Sequence, residues 1–311
     1  MEPRRKIKFL ITDLCNEQCV YCPIHGDQRR KVERVLPDTA VIAIAKEAVK
    51  LGYSAVKLSG EYGEPLLRKD ITAMIRGCAA AGATELGVAT NGLGLAECFD
   101  DLVAAGLNKL CVSLDSLKAT RYRKITGSDR LDTVRRGIER AAHALGRRVK
   151  VNMVVLKGVN ADEIDNMRHW VNDLGATLQL IEMFPVPGRR TEYSRHYYSL
   201  SSLMGRLRKN AIYTAFYKPR KAELFVLGNG EHIQITSTRR AIAFRFGVDR
   251  LVVHPDGVLG NYDVRSSGVT LTGTERPAAI RKLLQQAAAV RIDQVGKHGV
   301  EAWTHPGVPV S

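Results

Sequence analysis

Between residues 7 and 184 six short apolar runs alternate with five helical patterns, at a spacing near 30 residues. The runs are IKFLIT (7–12), SAVKLSG (54–60), ELGVAT (85–90), KLCVSLD (109–115), VKVNMVVLKG (149–158) and LQLIEMF (178–184). Helical periodicity occupies 38–52, 69–82, 96–106, 131–146 and 161–175, with Asp38 placed to cap the first helix and Gly52 to end it. Alternation of this kind demands parallel strands joined by right-handed crossovers. A closed eightfold barrel uses about 250 residues, and here the alternation stops near 185. The expected class is therefore α/β, an open partial (βα)6 barrel of the TIM type. Its chemistry belongs at the C-terminal ends of the strands.

After PVPGRR (185–190) the pattern changes. A helix is expected over 197–209, short strands from about 222, a hairpin around HPDG (254–257) and a last helix over 275–291. This predicts a barrel domain over 1–186 and a smaller α+β extension over 187–311, placed to cap the barrel's open side.

Apolar residues make up 45% of the 311 and charged residues 25%, which excludes wholesale disorder, collagen, coiled-coil and disulfide-scaffold classes. No stretch of about 18 apolar residues is present, so no membrane partner is expected. The basic start MEPRRKIKFL lacks a signal peptide's apolar core, so the chain reads as cytoplasmic. The formal charge of +15 favours an anionic partner, although solvated helix faces would account for it equally. With aromatics at 6% and none interleaved with basic runs, nucleic acid is a disfavoured partner.

Three of the six cysteines, Cys15, Cys19 and Cys22, form C-x3-C-x2-C directly after the first strand. Three thiolates on one loop can hold three irons of a 4Fe-4S cluster and leave the fourth open to a small molecule. The alternative is a zinc site completed by His25 as Cys3His, in a basic RNA-binding protein without catalysis.

The cysteine motif, with an aromatic before its third Cys, resembles the signature of the radical SAM superfamily. Between Lys8 and Gly188 the segments ITDLCNEQCVYC, GEPLLRKD, ATNG, GLNKLCVSLDSL, VKVNMVVLKGVNADEI and LIEMFPV resemble its GTP 3',8-cyclase branch. The resemblance implies one 4Fe-4S cluster on Cys15, Cys19 and Cys22 whose open iron chelates S-adenosyl-L-methionine (SAM). It further implies reductive cleavage of SAM to a 5'-deoxyadenosyl radical that takes hydrogen from substrate. SAM contacts are expected at Gly63, Glu64 and Pro65 after strand 2, Thr90 and Asn91 (with Gly92) at strand 3, Ser113 at strand 4 and Phe184 at strand 6. Tyr21 is expected on the adenine side. A flavodoxin or ferredoxin is the implied electron donor.

The chain departs from that branch in two places. The strand-2 loop, Ser59-Gly60-Glu61-Tyr62-Gly63-Glu64-Pro65, is two residues longer. The second cysteine set falls by spacing at Arg245, Val248 and Tyr262, and the sequence ends Pro-Val-Ser instead of Gly-Gly. Cys78, Cys98 and Cys111 lie on barrel segments and read as buried thiols. The branch's substrate-facing bases correspond to Lys8, Lys57, Lys150 and Arg250. A lysine in place of arginine keeps the charge and loses the bidentate fork. The expectation is a small anionic substrate, a nucleotide, nucleoside or sugar acid; the alternative is GTP cyclisation without the second cluster.

Overall fold

The computed structural model describes residues 5–22, 34–60, 62–185, 190–217, 222–237, 250–261 and 270–289. The barrel half runs β1 (Lys6–Leu10), α1 (Asp38–Lys50), β2 (Ala55–Ser59), α2 (Ile71–Ala80), β3 (Glu85–Thr90), α3 (Leu95–Ala104), β4 (Lys109–Ser113), α4 (Ala119–Thr126), α5 (Leu131–Leu145), β5 (Val149–Val155), α6 (Ile164–Asp173) and β6 (Thr177–Glu182). The chain continues as α7 (Arg190–His196), α8 (Ser201–Asn210), β7 (Ala211–Tyr217), β8 (Ala222–Leu227), β9 (His232–Thr236), β10 (Arg250–Val253), β11 (Leu259–Asn261) and α9 (Pro277–Ala289).

Strands β1 to β6 are parallel neighbours in chain order, as the alternation requires. The later strands extend the same sheet from both sides: β10 runs parallel to β1, and β9 runs parallel to β6. The result is one eleven-stranded sheet, ordered β11-β10-β1-β2-β3-β4-β5-β6-β9-β8-β7, that does not close. The HPDG turn joins β10 to β11 as the expected antiparallel hairpin.

Period-2 alternation sorts the side chains. Ile7, Phe9, Val56, Leu58, Val88, Val112, Val151 and Met153 are fully buried in the core beneath the helices. At roughly 25 cal/mol per Å² of apolar surface, this one continuous core is the main stabilising term. The positions between them, Lys6, Lys8, Lys57, Lys109, Cys111, Lys150 and Asn152, stay partly accessible on the opposite face.

Four local expectations are corrected. Pro37, not Asp38, is the cap of α1, and Asp38 is its first residue, its carboxylate accepting from Thr39 N at 2.8 Å. Proline fixes φ near the value that helix entry needs. The segment 119–126 forms the extra helix α4, and the helix expected over 197–209 begins later, at Ser201. Strand β7 follows it directly, ahead of the region where strands were expected.

Candidate functional site

The cysteine loop leaves β1 and is fastened on three sides. Toward β2, Leu14 O accepts from Glu64 N at 2.7 Å. A Cβ on Gly63 would lie 2.6 Å from Thr12 O and 2.8 Å from Leu14 O, so glycine is required here by loop-on-loop packing. Toward α4, Gln18 N donates to Thr126 O at 2.8 Å and Val20 N to Ile125 O at 2.9 Å. Toward β4, Tyr21 Oη donates to Asp115 Oδ2 at 2.6 Å, while Asp115 Oδ1 accepts from Val154 N at 2.7 Å. The Tyr21 ring packs beside Ile125, Leu156 and Met183. Its hydroxyl therefore anchors the loop to the sheet, a role that supplements the expected place on the adenine side.

None of the three cysteines of the motif is in a disulfide and all are partly accessible, with Cys22 N turned back onto Cys19 O at 2.9 Å. Glu17 lies between them, nearly buried, accepting from Tyr122 Oη at 2.7 Å and from Cys19 Sγ at 3.6 Å. Burial lifts the Glu17 carboxyl to about 7 against the Tyr122 bond, and Asp115 to about 6 against its two donors. Burial first, and then the Glu17 charge, raises the Cys19 thiol well above its ordinary value. A bound cation reverses that balance, because a coordinating thiol is deprotonated outright. Among the described residues no three His, Cys, Asp or Glu side chains converge as around a single metal ion. Three thiolates on one loop are a donor set that fits a cluster with one open iron. His25 lies outside the described residues, as do Arg245, Val248 and Tyr262.

The rim next to this loop is a closed polar network. Glu64 is 2% exposed. Its Oε1 accepts from Thr90 Oγ1 at 2.7 Å and Leu66 N at 2.8 Å, and its Oε2 from Asn91 N at 2.6 Å. The carboxylate thus ties β2 to β3 and caps the 3-10 turn Pro65–Leu67. One acceptor position on Oε2 is left for an ammonium group. Burial raises the Glu64 pKa, opposed by Asn91, Thr90 and Leu66. Asn91 Nδ2 donates to Asn16 Oδ1 at 2.8 Å, locking the β3 rim to the cysteine loop. The Ser113 hydroxyl has no protein partner among the described residues, and Phe184 is 41% exposed, so both remain available to a ligand. A cleft of about 220 Å³ opens beside this network, lined by Asn16, Glu64, Leu93 and Arg130.

The four expected substrate bases lie on the face opposite the helices. Lys8 is the register partner of Lys57, which donates to Cys111 Sγ at 3.4 Å, and Cys111 is in register with Lys150. Lys150 donates to Gln234 Oε1 on β9. Arg250 pairs in register with Lys6, one step below this row. Cys98 and Cys111 are thus only partly buried, contrary to expectation, because Cys111 stands on the open face of β4; Cys78 is fully buried. Sequence reading missed Lys6 and Lys109, which bracket Glu85 at 2.7 and 3.0 Å. Burial opposes ionisation of Glu85, but the two lysines outweigh it and hold the carboxyl down to about 2.

Residues 9–171 match the radical SAM superfamily, and the chain belongs to it. It is a radical SAM enzyme, and the superfamily's cofactors, a 4Fe-4S cluster and SAM, are its cofactors. The zinc-stabilised RNA-binding alternative is overturned by that membership. Among curated relatives, the GTP 3',8-cyclase of Lactiplantibacillus plantarum is 31% identical over 300 residues, covering 90% of this chain and 86% of its own. The probable GTP 3',8-cyclase of Pyrococcus abyssi is 34% identical over 264 residues, covering 83% and 84%. In fold the chain is similar to Streptococcus suis SuiB bound to S-adenosylmethionine, with a TM-score of 0.61 at 13% identity over 98% of this chain and 73% of that one. It is similar also to anSMEcpe with bound AdoMet, with a TM-score of 0.60 at 12% identity over 92% and 82%. No helix among the described residues is long and apolar enough to cross a membrane.

Proposed function

We propose that this enzyme acts on a purine nucleoside triphosphate of the GTP class, with Cys15, Cys19 and Cys22 holding its cluster. The observation that carries the substrate class is the set of cations on the open face of the sheet: Lys8 and Lys57, register partners on β1 and β2, with Lys150 on β5 and Arg250 on β10. Cations placed side by side repel, and a polyphosphate relieves that repulsion. The relatives' names, GTP 3',8-cyclase, support the same class.

Held by Cys15, Cys19 and Cys22, a 4Fe-4S cluster would supply the electron for reductive cleavage of the C5'–S bond of SAM, the source of the radical that takes hydrogen from substrate. The chain's own residues orient the reactants. Ser113, Phe184 and the remaining acceptor position of Glu64 face SAM, and the strand-end loops shield the radical from water. The lysines hold the substrate's anionic end as point charges. A small acidic electron carrier, a flavodoxin or ferredoxin, supplies the electron.

A second reading has its own support. The last cysteine in the sequence is Cys111, and Arg245, Val248 and Tyr262 stand where the cyclase branch has its second set. This favours a different small anionic substrate held without a second cluster.

The test is 5'-deoxyadenosine release by anaerobically reconstituted protein with SAM and dithionite, with and without GTP. Stimulation by GTP with a cyclised product supports the first reading. Slow release indifferent to GTP overturns it in favour of the second. In the same assay Cys19→Ala is expected to lose bound iron and all SAM cleavage; retained activity would remove the cysteine loop from the mechanism.

A further inference from the structure

We infer that the outer face of α4 is the docking surface for the acidic one-electron carrier protein that reduces the cluster. The inference rests on the assignment of Cys15, Cys19 and Cys22 as the cluster ligands. Helix α4 has two unlike sides. Tyr122, Ile125 and Thr126 are buried, and all three touch the cysteine loop, through Tyr122 Oη to Glu17 at 2.7 Å and through the carbonyls of Ile125 and Thr126. Glu17 in turn contacts Cys19 Sγ at 3.6 Å. A single helix therefore separates solvent from the ligand loop along this direction.

The other side is exposed and basic. Arg123 and Lys124 face solvent on the helix, Lys118 stands exposed just before it, and Arg130 stands exposed four residues beyond its end. Arg123, Lys124 and Arg130 form no ion pair among the described residues, while Lys118 lies within electrostatic reach of Asp162. Arg121 does not count toward the patch, because Asp162 at 2.7 Å and Glu163 at 2.9 Å neutralise it. Between residues 118 and 130 the only carboxylate is Asp129.

Each SAM consumed takes one electron from the cluster, which a carrier must return before the next cleavage. The carrier is oxidised by one electron, the cluster is reduced by one, and no bond is made or broken. Such encounters are brief and small, below about 1,200 Å² of buried surface, and are steered by charge. An unpaired cationic face directly over the ligand loop fits an acidic carrier.

The experiment uses the reconstituted holoenzyme and an acidic flavodoxin. Flavin fluorescence anisotropy measures binding, and SAM cleavage is driven in parallel by flavodoxin hydroquinone or by dithionite. In the double variant Arg123→Glu/Lys124→Glu, flavodoxin binding is expected to weaken about tenfold or more, and wild-type binding to weaken with salt. Flavodoxin-driven cleavage should fall with it, while dithionite-driven cleavage should stay at the wild-type rate. A control of equal charge, Arg206→Glu/Lys209→Glu on α8, should leave binding within about twofold. Equal binding by wild type and the α4 variant, or equal loss in the α8 control, would overturn the docking surface alone. Absence of dithionite-driven cleavage in fully iron-loaded wild type would instead overturn the cluster assignment beneath it.

Discussion

Glu64 is both a structural bolt and a candidate ligand contact, and the two roles separate by measurement. Replacing it by alanine leaves the Asn91 and Leu66 amides and the Thr90 hydroxyl without their acceptor. At about 1–3 kcal/mol for each of these three buried groups left unsatisfied, Glu64→Ala is expected to lose about 3 kcal/mol or more in urea unfolding. It should also weaken SAM binding while iron content stays at the wild-type level. Unchanged SAM affinity would leave only the structural role. Glu85 gives a pH signature. Its carboxyl is held down to about 2 by Lys6 and Lys109, against burial. Between that value and the ordinary carboxylate range the unfolded chain binds the extra proton, so stability rises with pH through this window and is lost as pH falls through it. Glu85→Gln is expected to flatten the slope between about pH 2 and 4.5 in urea unfolding. At this scale the sequence was informative where chemistry is local: the cysteine spacing, Glu64 and the basic register positions. Partners far apart in the chain were not legible. The 94-residue separation of Tyr21 and Asp115 leaves no local pattern, and only the fold brings the pair to 2.6 Å.

At the scale of single elements, α4 was the hardest to read. Its eight residues bury only Tyr122, Ile125 and Thr126, and a helix this short is marginal on its own. It persists because the cysteine loop hydrogen-bonds to it and because Gly127 ends it at φ 76°. An L-residue in that left-handed conformation costs about 1–2 kcal/mol. The added Cβ would also sit 3.4 Å from Gln18 Cβ. Gly127→Ala is therefore expected to lower stability by about 1 kcal/mol and to speed iron loss to a chelator, followed by the decay of cluster absorbance. A variant that keeps wild-type iron release would show that α4 does not support the loop. The strands of the barrel, by contrast, were legible to within three residues at each end, because their burial alternates or runs continuously as parallel strands do. Strand β3 matches its expected span, 85–90, without change.

Taken whole, the molecule is an open sheet with edges at β11 and β7. Strand β7 carries no charge, and Ile212, Tyr213 and Phe216 are 73%, 58% and 49% exposed. An uncharged, exposed edge invites pairing with another chain. Concentration-dependent association is expected in sedimentation experiments, and Ile212→Lys/Phe216→Lys should reduce it; a wild type monomeric at high concentration would refute this. The sequence announced the order β1 to β6 but not the rest. Which late strand joins which edge is decided by long-range packing that no local pattern encodes.

The flanking of β1 by β2 and β10 has a consequence for how the protein is made. Residues 6–10 leave the ribosome well before residues 250–253, one of their two strand neighbours. At about 5–20 residues per second, the strand that carries the cysteine loop waits roughly 10 to 50 s for its second partner. During that interval the ligand strand is an open edge in the growing chain. Metallation before β10 is made would act on an unfinished wall, so insertion of iron and sulfide belongs after that strand has joined the sheet.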